Sequence, residues 1–276
     1  MEDKDVLEDR LRAVGRCPDA DIDIGETALL LAACDRRGVA LDRYREHLTI
    51  LSEETGAAAL AADDLDGRLG ALRAVMVERH GYTGDRLTYD DLQNANLLRV
   101  IDRRKGLPVA LGILALATSQ RLGWDMVGLN FPGHFLLRLD HDGARAIVDP
   151  FDGCRRRSVP ELRELLKAGD RPDAELLPAH YAPVSRRAVL LRLQNNIKLR
   201  LLQSKEAARA LHVVERMLWI APGTPELMRE AALLNVHLGH LQTAITQLEA
   251  YLGIETAHQA RHRMATLLQD LRNRLN

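Results

Sequence analysis

The stretch from Val109 to Leu122 restricts this chain most. Ala110, Leu111, Ile113, Leu114, Ala115, Leu116 and Ala117 leave almost no polar face. A helix apolar nearly all round cannot lie on a surface; other elements must wrap it. Pro108 stands at its start, where a missing N–H is harmless, and Gly123 terminates it. The fold is therefore built around a central buried helix.

The residues after this helix read as strands. Met126 to Phe131 is one, the Pro-Gly-His segment Phe131 to Leu139 a second, and Ala146-Ile-Val-Asp149 a third. Between the last two, Asp142-Gly143 is a strong hairpin signal. A hairpin pivoting there pairs positions whose numbers add to about 285. His134 and Asp149 add to 283, within a rung or so of being opposite. On a shared face their side chains come within hydrogen-bond reach; a one-residue slip would set them on opposite faces.

Upstream the pattern is helical. Residues from Glu26 carry Ala28, Leu29 and Leu31, and Gly38 closes that helix. A second helix starts near Leu41 with Tyr44, Leu48 and Leu51. A third spans about 57–82, with an interruption at Asp63-Asp-Leu-Asp-Gly67. Thr88 reads as the cap of a further helix. Asn94 to Arg104 is amphipathic, with Leu97, Leu98, Val100 and Ile101 against Arg99, Asp102 and Arg103, and is stopped by Gly106 and Pro108. Downstream, Ser158-Val-Pro-Glu161 caps a helix to about Ala168. Residues 170–183 lack a period and read as a linker.

The C-terminal part repeats. Ala210-Leu-His-Val-Val-Glu-Arg-Met-Leu-Trp-Ile matches Ala244-Ile-Thr-Gln-Leu-Glu-Ala-Tyr-Leu-Gly-Ile at an offset of 34 residues, and Leu199 aligns with Leu233. That period in helix–turn–helix sequence is similar to the tetratricopeptide repeat. Pro222-Gly-Thr-Pro-Glu226 ends one repeat and caps the next, and a closing helix runs over about 256–275.

Composition excludes several classes. The net charge of −1 over 276 residues suggests no nucleic-acid or membrane partner. The balance is uneven: from Ser185 onward 13 Lys/Arg face 7 Asp/Glu, so that part carries +6 and the rest −7. Two differently charged solvated surfaces account for this, or a partner contact steered by charge. Cys17, Cys34 and Cys154 are too few and too scattered for a disulfide framework, and no His/Cys spacing suits zinc. No apolar run is long enough for a membrane span, and the acidic Met-Glu-Asp-Lys start is unlike a signal peptide. A reducing cytoplasm is the home expected from these features, with no metal and no cofactor.

The helix, His strand and Asp strand have the order in which papain-like and transglutaminase-like folds assemble Cys, His and Asp. Leu97 to Gly123, then Phe131-Pro-Gly-His-Phe, then Val148-Asp-Pro-Phe-Asp-Gly153 resemble the bacterial SirB-type transglutaminase-like family. The resemblance covers about 27–252. It implies an α+β fold: a transglutaminase-like (papain-like) domain over 1–183, its core at 94–153, with a helical N-terminal layer and a small antiparallel sheet. An all-α tetratricopeptide-like module over 184–276 comes after it.

In active transglutaminase-like enzymes the central helix begins Gly-x-Cys; placing Gly123 in register puts Pro108 at the Cys. His134 and Asp149 match the family's His and Asp. In a Cys–His–Asp site the thiolate attacks a carbonyl, His moves the proton and the carboxylate orients His. Here the first helical turn offers no Cys, Ser or Thr. His134 and Asp149 are then a vestigial dyad, a structural pair or part of a binding cleft. Arg103, Arg104, Gly106, Pro108, Pro132, Gly133 and Phe151 are the candidate binding residues around it. Arg103 to Lys105 is either a solvated helix end or an anion site, and Arg155 to Arg157 a solvated run. The expected function is a non-catalytic protein- or peptide-binding or regulatory module, contacting its partner through the cleft or the repeat groove. The alternatives are a cysteine-type hydrolase or acyltransferase with Cys154 or Cys34 as relocated nucleophile, and a structural subunit stable only in a complex.

Overall fold

The computed structural model describes residues 4–36, 38–168 and 173–275. Met1-Glu-Asp3, from the acidic start, and Asp170–Pro172, from the expected linker, lie outside the described residues. The chain divides into two compact units: Pro18–Leu193 with residues up to Leu7, and the chain from Gln194 onward with Glu8–Cys17.

Most of α1 (Lys4–Arg16) belongs to the second unit. The first unit opens with α2 (Ile24–Ala33), capped by Asp23, whose side chain accepts from the Glu26 amide at 2.9 Å. Next come α3 (Asp42–Ala59) and α4 (Leu65–Arg73). The Asp-rich passage does interrupt the helical run: Asp64 caps α4 through the Gly67 amide. A π turn (Ala74–Arg79) continues α4. The short strand β1 (Thr83–Gly84) pairs in parallel with β2 (Lys105–Gly106) on either side of α5 (Leu97–Arg103). Two details differ from the sequence reading. Thr88 caps no helix, because its amide and hydroxyl both donate to Asp85, at 2.9 and 2.7 Å. And α5 stops at Arg104, which adopts a left-handed backbone (φ 60°), before Gly106 is reached.

Helix α6 (Pro108–Arg121) is the centre of this unit. Every residue from Val109 to Ser119 is buried, as an all-apolar helix requires. It packs against α2, α3, α5 and the following strand β3 (Asp125–Leu129). Gln120 fixes its far end by donating to the Ile22 carbonyl at 3.0 Å. β4 (Leu137–His141) and β5 (Ala144–Asp149) form the hairpin. Asp142 (φ 46°) and Gly143 (φ 75°) are both left-handed, the geometry of a type I′ turn. Rungs such as Leu137–Val148 and Arg138–Ile147 keep the expected register.

The sheet continues with β6 (Arg155–Arg157) and, after α7 (Val159–Lys167), β7 (Pro183–Val184) on the far side of β3. Alternation buries Leu137, Leu139, Ala146 and Val148 on one face of the hairpin. The opposite face is covered by α7 and the chain after it. Leu129, Phe131, Leu136, Leu162 and Leu166 cluster there with Ile147, Leu176 and Tyr181. The described part of the expected linker is therefore ordered: Ala174, Leu176 and Tyr181 pack on that cluster and Pro183–Val184 joins the sheet. Single apolar residues among polar ones made it look structureless in sequence.

Helix α8 (Arg186–Gln203) runs through the boundary of the two units. The second unit continues with α9 (Ala207–Ile220), α10 (Pro225–His237), α11 (Leu241–Ile254) and α12 (His258–Leu275). The repeated Ala210 and Ala244 are both wholly buried, as close helix approach demands. Ile220 is buried, while its counterpart Ile254 is 43% exposed, so the second repeat is not covered as the first is. Lys198 on α8, itself buried, pairs with Glu230 on α10 at 2.5 Å and ties successive repeats together.

Candidate functional site

The site is built on the N-terminus of α6. Leu107 is extended, its amide held by the Asn94 carbonyl at 2.9 Å, and Pro108 takes the first helical position. No side chain caps this end, and the first turn holds Pro108, Val109, Ala110 and Leu111. None of these carries a nucleophile.

His134 is delivered by the turn between β3 and β4, where Pro132 is followed by left-handed Gly133 (φ 74°). The strand begins only at Leu137, so His134 is a turn residue, where a strand residue was expected. Its carbonyl accepts from Arg192 Nη2 at 2.7 Å, and the Arg192 guanidinium lies 5.4 Å over the Phe135 ring. Phe135 presses on α6 at Gly112; a Cβ there would stand 2.3 Å from the ring. These contacts clamp the His134 turn one helical turn along α6 from Pro108. The half-buried imidazole has its pKa lowered, first by burial, then by the charges of Arg157 and Arg192, against the opposing pull of Asp149. Its aromatic neighbour is Phe131, with ring centres 6.3 Å apart.

Asp149 ends β5 and is buried. Its Oδ1 caps the short 3-10 turn Pro150–Asp152 by accepting from the Phe151 amide at 3.0 Å and the Asp152 amide at 3.3 Å. Its Oδ2 accepts from Arg157 Nη2 at 2.7 Å and Nε at 3.3 Å. Arg157 also pairs with Asp152 at 2.9 Å. Among the described residues no hydrogen bond joins His134 to Asp149, whose charge nevertheless pulls the imidazole pKa upward. The expected bond is thus replaced by an arginine, although the hairpin register was right. The reason is the Pro132-Gly133 turn, which takes His134 out of the strand before it reaches the rung.

The other expected residues separate into two groups. Phe151 stays beside Asp149, to which its amide donates: Tyr89 meets its ring edge-on at 5.8 Å and Arg86 lies 5.0 Å over it. Gly84 faces it with no room for a side chain. Arg103 and Arg104 are half-buried and bonded to groups within the protein. Arg103 binds buried Asp85 at 3.0 Å and Asn94 at 2.9 Å. The bonds from Thr88 and Arg103 hold Asp85 well below the usual carboxylate range. Arg104 donates to the Tyr82 hydroxyl and meets His47 Nε2. Gly106 lies on β2, and Val100 fills the space where a Cβ would project.

In that helical layer His47 contacts Tyr82 at 2.7 Å, and its pKa falls to about 4 through burial and then the Arg104 charge. Beside it His80 bonds Glu54 at 2.7 Å.

No thiol stands in the first turn of α6. Cys154 is buried, and burial with the nearby Asp149 charge pushes it up to about 12, the reverse of an activated nucleophile. Cys34 and Cys17 donate to Leu30 and Val14 carbonyls at their own helix ends. Arg157 and Arg192 escaped the sequence reading. Arg157 was one of three arginines in a run, and only the strand pairing of β6 with β5 turns it onto Asp149. Arg192 did leave a signal, a charge between buried Leu190 and Leu193.

Comparison with known proteins bears on the domain arrangement. Residues 42–195 match the transglutaminase-like superfamily, and 197–269 the tetratricopeptide repeat. The chain belongs to the transglutaminase-like superfamily. A UPF0162 protein of Xylella fastidiosa (strain Temecula1) is 32% identical over 190 residues, 68% of each chain. A UPF0162 protein of Vibrio cholerae is 30% identical over 232 residues, 84% of this chain and 86% of that one. Protein SirB1 of Salmonella typhimurium is 27% identical over 208 residues, 75% and 76% of the two chains. The transglutaminase-like domain followed by repeats is thus the SirB-type arrangement. Among the described residues no helix is long and apolar enough to cross a membrane.

Proposed function

We propose that this is a non-catalytic transglutaminase-like protein that binds a protein or peptide. One observation carries the reading: the first turn of α6 holds no nucleophile, Pro108 standing where the resemblance implies the family's Cys, and the Asp149 carboxylate is committed to Arg157 and two backbone amides. A general base without a nucleophile or an orienting carboxylate performs no acyl transfer. The relocated-thiol alternative is weakened by the burial and raised pKa of Cys154.

The repeats supply a surface suited to binding. Leu199 on α8 and Leu233 on α10 occupy the same repeat position and are 48% and 40% exposed. Repeated exposed leucines at equivalent places form an apolar track, which a partner segment covers. The cleft beside His134, Pro132, Gly133 and Phe151 is the second contact surface. Among the described residues Cys17, Cys34 and Cys154 form no disulfide, which suits a reducing, cytoplasmic compartment.

The test combines thiol chemistry with capture. Alkylation of the native protein against pH, with the modified residue located by mass spectrometry, is expected to find no thiol reacting at pH 5–6. Photo-crosslinked partners are expected to be lost in a Leu199→Asp/Leu233→Asp variant that keeps its helix content. A thiol that reacts at low pH and is silenced by His134→Ala would establish the hydrolase reading instead. Crosslinks indifferent to both leucines would remove the repeat track from the proposal.

A further inference from the structure

A further surface, on the outer face of the sheet, stands independently of that reading. Where β6 ends, α7 turns away and leaves a groove of about 600 Å³ against β5. Val159, Leu177, Pro178 and Tyr181 give it apolar walls, and Arg145 and Arg163 stand at its rim. Val159 and Leu177 are 49% and 53% exposed, unlike the neighbouring Leu162 and Leu166, which α7 buries. Arg138 holds the far wall in place by donating to the Tyr181 carbonyl at 3.2 Å.

The floor has an open backbone edge. β5 spans Ala144–Asp149, but β6 covers only Ile147–Asp149. In a two-residue hairpin the rung next to the turn, here His141–Ala144, exchanges both hydrogen bonds, and rungs then alternate. The Arg145–Asp140 rung is therefore one whose N–H and C=O point away from β4. On that side β6 covers Ile147 and Asp149 but stops short of Arg145, because Ser158 caps α7. An extended segment laid beside Arg145 continues the edge by main-chain bonds, and its side chains fall on the apolar walls. The rim determines its charge. Among the described residues the Arg163 side chain makes no hydrogen bond or ion pair, and the Arg145 side chain shares only Asp140. Two guanidiniums beside exposed apolar groups complement carboxylates spaced along an apolar strand.

We infer that the groove between β5, α7 and residues 176–182 docks an extended peptide segment that alternates acidic and apolar residues. The test uses the full chain and two synthetic eight-residue probes, one alternating Glu with Val and Leu, the other with Lys in place of Glu. Backbone NMR titration is expected to move Arg145, Val159 and Leu177 with the Glu probe only. Arg163→Glu is expected to weaken that binding at least tenfold, as is N-methylation of the probe's central amide. Leu177→Asp, at an exposed position, serves as a second variant whose fold is checked by circular dichroism. No shift at millimolar Glu probe, equal binding of both probes, or shifts outside the groove would each overturn the inference. The same residues shifting with protein concentration alone would assign the groove to a second copy of the chain.

Discussion

Two polar networks in the first unit are built from similar groups and behave differently. At the cleft, Asp149 and Arg157 form a buried ion pair and His134 stands aside as a half-buried, neutral-leaning imidazole. In the helical layer, His47, Tyr82 and Arg104 touch one another, with His80 and Glu54 adjoining. The strongest histidine shift lies in that second network, not at the cleft. A superfamily motif therefore marks where a fold places chemistry, while local burial and charge determine which groups titrate.

The largest expected effect breaks the cleft network. Arg157→Ala leaves Asp149 as a buried carboxylate with no cation and is expected to cost about 3–5 kcal/mol in urea unfolding. Asp149→Asn in the same background should recover much of it, since the stranded charge is gone. A loss under 1 kcal/mol in the single variant would mean that water reaches Asp149.

The helical layer is broken by acid. The folded state holds His47 near 4, below its ordinary value near 6.5, so the unfolded chain takes up the proton first. The stability from keeping this imidazole neutral is whole above about pH 6.5 and is lost as pH falls towards 4, by about 2–3 kcal/mol. His47→Gln, which cannot titrate, should flatten that slope when unfolding free energy is followed from pH 7 to 4. His134→Gln should change the slope less, because the imidazole there is pulled both ways.

A steric change sharpens the comparison next. Gly112→Ala places a Cβ against the Phe135 ring, and its cost is expected at about 1–3 kcal/mol in thermal unfolding. Restored stability on pairing it with Phe135→Leu would confirm that this contact carries the strain. The smallest effect belongs to His134→Ala. Without a bond to Asp149 it is expected to shift stability by less than about 1 kcal/mol; a loss above 2 kcal/mol would show that the dyad is structural after all.

Much of the architecture was legible from local rules. Asp142-Gly143 fixed the hairpin pivot because two left-handed residues admit few alternatives. Ser158 and Glu161 close the capping box that the sequence announces at α7. The site was less legible. Arg103 and Arg104 resembled a solvated helix end, since nothing local reveals that Asp85, Asn94 and Tyr82 will fold back over them. Cys154, five residues past Asp149, could in sequence approach the site, and only the surrounding structure shows it buried.

The amino-acid sequence by itself determined the all-apolar α6, the register of β4 on β5 and the 34-residue helical repeat. Each arises from periodicity or turn chemistry within a few residues, or from a repeat compared with itself. Only the tertiary structure decided that Asp149 belongs to Arg157 rather than to His134. A buried carboxylate takes the cation that the chain delivers within hydrogen-bond distance, and a single turn at Pro132-Gly133 withdrew the histidine while β6 brought the arginine to 2.7 Å.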